Sequence, residues 1–166
     1  MALESPPARR AMNLDLLTDY TIPYQHPLAV HFPVVLLLLG AAAALGYLAL
    51  GRPAWRLAAL LFCALGAGTA YWAEETGETL EETVEGEPMA EAVLHTHEES
   101  AEWTVRVALL AVLSLGGASL VARRRGLGAP EPWWLRLAAV PAGAAAVLVA
   151  YTAHLGGIMV WGVPAG

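Results

Sequence analysis

The sequence contains no lysine, and all nine of its basic residues are arginine. Against fifteen acidic residues this leaves a formal net charge of −6, so a nucleic-acid partner has no basic footprint to use. A single cysteine, Cys63, excludes an internal disulfide framework, a thiolate zinc cluster and covalent attachment of a c-type haem, because each needs more than one. Charge of either sign is scarce: 14% of residues are charged, against roughly 25% in an average soluble domain. Catalytic signatures are missing too. There is no nucleophile elbow, no phosphate loop and no His-Glu-x-x-His. The absence of Glu-x-x-His argues against a ferritin-type di-iron centre.

What the chain has is hydrocarbon. Its hydrophobic fraction is 57%, and its mean hydropathy is +0.53. A bilayer core of about 30 Å needs about 20 apolar residues in a helix. Four stretches meet that length without an internal acid, at residues 31–50, 55–73, 103–122 and 134–155. The expected fold is therefore an all-α integral membrane four-helix bundle, a single domain over residues 26–163 after an N-terminal tail at 1–25. All six tryptophans mark the span ends, with Trp55, Trp133 and Trp134 at one side and Trp72, Trp103 and Trp161 at the other. Glycine and alanine within the spans, as around Gly40, Gly66 and Gly116, favour close helix packing. Pro33 and Pro141 are expected to kink their helices.

Arginine sets the expected orientation, because short cytoplasmic loops accumulate positive charge. Arg52, Arg56, Arg123, Arg124, Arg125 and Arg136 lie at one side, against Arg9, Arg10 and Arg106 at the other. Both termini are thus expected outside an inner (cytoplasmic) membrane, on the periplasmic side of a two-membrane bacterium. No apolar run follows Arg9 and Arg10 closely enough to form a signal peptide, so the first span is expected to direct insertion itself. Residues 74–102 carry eleven glutamates, no arginine and two histidines. That segment reads as a solvated acidic face, outside the membrane. Gly77 and the Gly86-Glu87-Pro88 turn are expected to divide it into a short helix over 78–85 and a longer one from Met89 into the third span. Pro88 suits a first helical position.

All five histidines, His26, His31, His95, His97 and His154, fall at the side away from the arginine-rich connections. Ionisable side chains at the mouths of nearly pure hydrocarbon helices point to a functional site. Counting helical rise from the far ends puts His31 and His154 at a common depth of about 30 Å, and His26 and His97 at about 38 Å. On the helix from Met89, the apolar stripe Met89, Val93, His97, Ala101, Thr104 and Ala108 turns His97 inward, while His95 falls on the polar stripe.

A haem b needs two imidazoles facing each other from different helices at one depth. The pair His31 and His154 meets that demand, with His97 as the alternative axial ligand. Arg106 would offset a propionate or pair with Glu102 at i−4. Alternatively, copper, zinc or iron would be held by imidazoles from His26, His31, His97 and His154, with glutamates around them.

His26-Pro27-Leu28-Ala29-Val30-His31-Phe32-Pro33, opening the first span, resembles the signature of a bacterial family of four-helix membrane proteins known only as a domain of unknown function. Ala153-His154-Leu155-Gly156-Gly157-Ile158-Met159-Val160 resembles that family's closing His-x-Gly-Gly-x-x-Val motif. The resemblance covers about residues 26–163. It implies redox work at the outer face, since some members are joined to cytochrome c domains or lie beside respiratory components. It also carries the family's histidines onto His26, His31, His97 and His154. This chain departs in its longer acidic segment and in ending Val160-Trp161-Gly162 where relatives often have Tyr and another His.

The leading expectation is a membrane electron-transfer protein binding haem b, with a cytochrome c or a respiratory complex as partner. A copper, zinc or iron module stands beside it, as does a non-catalytic subunit or assembly factor packed in a homo- or hetero-oligomer. A stand-alone enzyme is the less expected reading. Orientation is tested with single cysteines at Thr83 and Gly126 in a Cys63→Ala background, labelled in intact cells by an impermeant thiol reagent. Thr83→Cys is expected to react and Gly126→Cys to stay protected. The reverse pattern inverts the topology.

Overall fold

The computed structural model describes residues 25–84, 88–126 and 131–162. The tail before Gln25 and residues 86–87 of the expected Gly86-Glu87-Pro88 turn lie outside these. Among the described residues the chain is helical, with no strand. The elements are α1 (His26–Ala29), α2 (His31–Leu50), α3 (Pro53–Val84), α4 (Pro88–Arg124), α5 (Trp133–Arg136), a 3-10 turn (Leu137–Ala139) and α6 (Val140–Trp161). They build four candidate membrane spans, His26–Leu50, Pro53–Leu80, Val93–Arg124 and Trp133–Trp161. In hydrocarbon every backbone polar group must be satisfied within its own segment, which makes helix the only open-chain solution.

Both prolines interrupt the spans as expected. Pro33 has no N–H for the Ala29 carbonyl, and the first span breaks at Val30 into α1 and α2. Val30 keeps helical angles, φ −62° and ψ −23°, so the chain loses bonds there without reversing. Pro141 removes the bond to Leu137, and the backbone before it tightens into the 3-10 turn. Gly77, by contrast, breaks nothing. α3 runs without interruption for 32 residues to Val84, so residues 78–84 of the expected separate helix at 78–85 are its continuation. One helical glycine costs only about 1 kcal/mol relative to alanine, too little to end a helix anchored by packing. Pro88 opens α4, which continues for 37 residues, about 55 Å at 1.5 Å per residue and well beyond a core of about 30 Å.

The bundle packs on small residues. A Cβ on Gly40 would lie 2.8 Å from Cys63 Sγ, and one on Gly66 would lie 2.6 Å from Leu37 Cδ2. These glycines let α2 and α3 meet backbone to side chain. Leu37, Tyr47, Cys63 and Leu115 form the fully buried centre. Gly116 and Gly117, expected to pack in the same way, have open space beside them, and in that stretch it is Ala118 and Ser119 that turn inward. Leu113, Val147 and Leu45 point outward, at 72%, 70% and 66% exposed. Such a surface suits lipid rather than water. All six tryptophans are also exposed, as an interfacial belt requires.

At the arginine end lies a polar lock that the sequence reading did not find. Arg56 is 5% exposed and forms an ion pair with Glu131. Its Nε donates to Ser119 Oγ at 3.1 Å, and its guanidinium lies 5.6 Å from the centre of the Tyr47 ring. Tyr47 donates its hydroxyl to the other Glu131 oxygen at 2.7 Å. Nearby, Arg136 donates to the Leu48 carbonyl at 3.3 Å. Gly51, in the left-handed conformation at φ 62°, ends α2 where the Arg136 guanidinium would meet any Cβ.

The lock ties α2, α3 and α4 to the chain entering α5. Removing one partner of a buried pair leaves an uncompensated charge, so Glu131→Gln is expected to lower unfolding free energy by about 3–5 kcal/mol. Tyr47→Phe, which removes one hydrogen bond, should cost about 1 kcal/mol. Replacing both charges (Arg56→Met with Glu131→Leu) should recover much of the loss. Unfolding in mixed micelles measures all three. Wild-type stability for Glu131→Gln would remove the lock.

Candidate functional site at the histidine end

Two of the five histidines meet inside the opposite end of the bundle. His26, on the single turn of α1, donates from Nδ1 to the Ala73 carbonyl of α3 at 2.8 Å. His97, on α4, donates from Nδ1 to the Thr152 carbonyl of α6 at 3.0 Å. A carbonyl only accepts, so each Nδ1 carries the proton. In the neutral ring Nε2 then keeps its lone pair. Carbonyl-anchored imidazoles of this kind are the usual form of histidines that ligate metals, because the bond sets both tautomer and ring direction. The two ring centres are 6.5 Å apart with planes crossing at 80°.

Small side chains make this arrangement possible. Gly77 passes His26, where a Cβ would lie 3.1 Å from Cε1, and Gly156 passes His97 at 3.3 Å. Below the rings is a cavity of about 70 Å³ to which all four spans contribute. Its walls are mostly alanine and valine, with Glu74 as the one carboxylate. On the His97 side a hydroxyl cluster satisfies itself: Thr152 donates to Ser100 Oγ at 3.0 Å, Ser100 to the His97 carbonyl at 2.8 Å and Thr104 to the Ser100 carbonyl at 2.8 Å. These groups hold α4 against α6.

The remaining predicted residues lie elsewhere. His97 turns inward and His95 is exposed, as the stripe on α4 predicts. His31 and His154 are both exposed, and neither lines the cavity. The fold thus brings together the outer pair, His26 with His97, rather than His31 with His154. Arg106 pairs with Glu102 at 2.9 Å and lies 5.3 Å from the Trp103 ring centre, so the i−4 alternative holds. No group of three or more His, Cys, Asp or Glu is arranged for one metal ion among the described residues. His26 was legible in principle: Ala29, Pro33, Leu37, Gly40 and Ala44 form the buried stripe of the first span. Extending that stripe back one turn reaches His26 and passes over His31.

A model of the family described as "Predicted membrane protein (DUF2231)" matches residues 23–166. No curated protein and no solved structure matches the chain.

The different exposures generate a footprint. In detergent, diethyl pyrocarbonate followed by mass spectrometry is expected to modify His31, His95 and His154 faster than His97, whose ring lies between α4 and α6. His97 reacting as fast as His95 would contradict this placement.

Proposed function

The chain belongs to the DUF2231 family of predicted membrane proteins, and from that premise we propose that it is a metal-binding membrane module that holds one copper ion between His26 and His97. The observation that carries this reading is the ring spacing. With a metal–nitrogen bond of about 2.0–2.1 Å, a metal lies about 3.2 Å from the centre of each imidazole. Two imidazoles at a tetrahedral angle then have centres about 5.2 Å apart, and two opposite each other about 6.4 Å. The rings stand 6.5 Å apart, the spacing that opposed ligation requires once both Nε2 atoms face the ion. Crossed ring planes suit it too, since rotation about the nitrogen–metal–nitrogen axis leaves both bonds intact.

Zinc prefers four protein ligands in a closed site, whereas copper(I) accepts two opposed nitrogens alone. Haem iron also takes opposed imidazoles. However, a space of about 70 Å³ falls well below the roughly 300 Å³ or more of pockets for ligands of that class. The haem reading through His31 and His154 has, in addition, no enclosed slot around those exposed side chains. Electron transfer is the use proposed for such an ion, with Glu74, which lines the same cavity, as the oxygen ligand that copper(II) would need beyond the two nitrogens. With the six arginines inside, the histidine end faces outside an inner membrane. A cytochrome c or a respiratory complex at that face is then the electron partner.

Titration of detergent-purified protein with copper(I) under a reductant is expected to show one equivalent bound, with nitrogen-only, two-coordinate X-ray absorption. His26→Ala or His97→Ala should weaken binding more than 100-fold, and His31→Ala or His154→Ala should leave it unchanged. After expression with haem supplied, a b-type α-band lost in the His26 and His97 variants would replace copper by haem. Neither copper nor haem bound would overturn the reading.

A further inference from the structure

The two histidines are seated in the same way. His26 donates to the carbonyl of Ala73, and the glycine against its ring is Gly77, four residues on. His97 donates to the carbonyl of Thr152, and the glycine against its ring is Gly156, again four residues on. In an α-helix the N–H of residue i+4 bonds to the carbonyl of residue i. Each seat is therefore a helical carbonyl shared between an imidazole and the N–H of a glycine, whose missing Cβ leaves room for that imidazole; at the first seat Thr76 Oγ1 also donates to the Ala73 carbonyl, at 3.0 Å.

The likeness extends beyond the seats. Among the residues lining the cavity, His26, Val30 and Pro33 correspond to His97, Ala101 and Thr104 at one constant sequence separation. Ala70, Ala73 and Glu74 correspond to Val149, Thr152 and Ala153 at another. Buried positions follow the same two separations down the bundle. Leu37, Gly40, Ala44 and Tyr47 of α2 pair with Ala108, Ala111, Leu115 and Ala118 of α4, and Cys63, Gly66 and Ala67 of α3 pair with Ala142, Ala145 and Ala146 of α6, all of them buried. A minority of the paired positions are also identical, among them His26 with His97, Gly46 with Gly117, Trp55 with Trp134 and Gly77 with Gly156.

We infer that the bundle is one helical hairpin present twice, α1–α3 and α4–α6, related by an approximate two-fold axis along the spans, and that Gly77 and Gly156 are equivalent positioning residues that hold the two imidazoles opposed across that axis. Each hairpin contributes one histidine from its first span and one seat from its second. The site exists only where the two hairpins face each other. Two equivalent ligands across an axis suit a single ion and give a one-to-one stoichiometry for the whole chain. This last point rests on the copper reading, whereas the duplication and the seats do not.

The test uses the full chain with histidine labelled by ¹⁵N. In the metal-free protein, two slowly exchanging Nδ1–H signals are expected. Gly77→Ala should shift or remove the His26 signal alone, and Gly156→Ala the His97 signal alone. Gly143→Ala, at a helical glycine with open space beside it, should leave both. Alanine favours helix at all three positions, so the fold is kept. Copper(I) affinity should fall about 10–100-fold in each seat variant, by similar factors, as for other groups that orient metal-bound histidines. A seat variant that leaves its own histidine signal in place, or factors that differ more than tenfold, would overturn the equivalence. Signals that behave as expected in a protein that binds no copper would retain the seats and remove the copper reading.

Discussion

A guanidinium enclosed among membrane helices requires a counter-charge, and the position of Glu131 under Arg56 governs how this bundle closes. The pair reaches across the chain: Arg56 belongs to α3, its second partner Ser119 to α4, and Glu131 to the connection entering α5. Tyr47 of α2 completes the set by donating to the same carboxylate. Four parts of the sequence are thus fixed at one end by groups that cannot be separated without stranding a charge in a poorly solvating environment. Elsewhere the helices meet through alanine, glycine and leucine, contacts that are individually weak and tolerant of sliding. The ionic end determines which faces are opposed. The apolar contacts then carry that arrangement along the spans to the histidines.

Helix number, span positions and belt residues were readable because each depends on composition over a window of about 20 residues. The inward turn of His97 was readable because α4 mixes polar and apolar residues, which gives it a face. α2 is apolar all round, so periodicity alone could not tell His26 from His31. Only the pattern of small residues separates inside from outside there. Depth counting placed His26 and His97 at one level and His31 and His154 at another, but depth says nothing of facing. The lock is not legible for a different reason: Arg56 reads as one more positive-inside residue, and Glu131 is a lone acid in the arginine-rich connection after the third span, with nothing in its spacing to name Arg56 as its partner. Gly77 carries a break signal that α3 does not use, because here the glycine leaves room for the His26 ring.

Helical carbonyls already serve the backbone, but each has a second lone pair that a side chain can use. In this bundle the carbonyls of Ala73 and Thr152 each accept a further hydrogen bond from an imidazole. That arrangement removes the freedom each imidazole would otherwise have to turn, and it does so without any charged second partner. The polar groups nearby, Ser100, Thr104 and Thr152, are occupied with one another and with backbone carbonyls. The cavity lining is otherwise largely apolar, with Glu74 as its one carboxylate.

The break at Val30 gives the two rings unequal mechanical supports. His97 sits within the unbroken length of α4, and moving it means moving a helix clamped to both α3 and α6. His26 rides on a single turn joined to α2 where Pro33 has removed a backbone bond, so its displacement needs a change of angle at that joint and the loss of its bond to the Ala73 carbonyl. The pair therefore behaves as a fixed jaw facing a compliant one. A bound centre whose preferred bond angle changes between two states would be followed by the His26 side, while the rest of the bundle stays still.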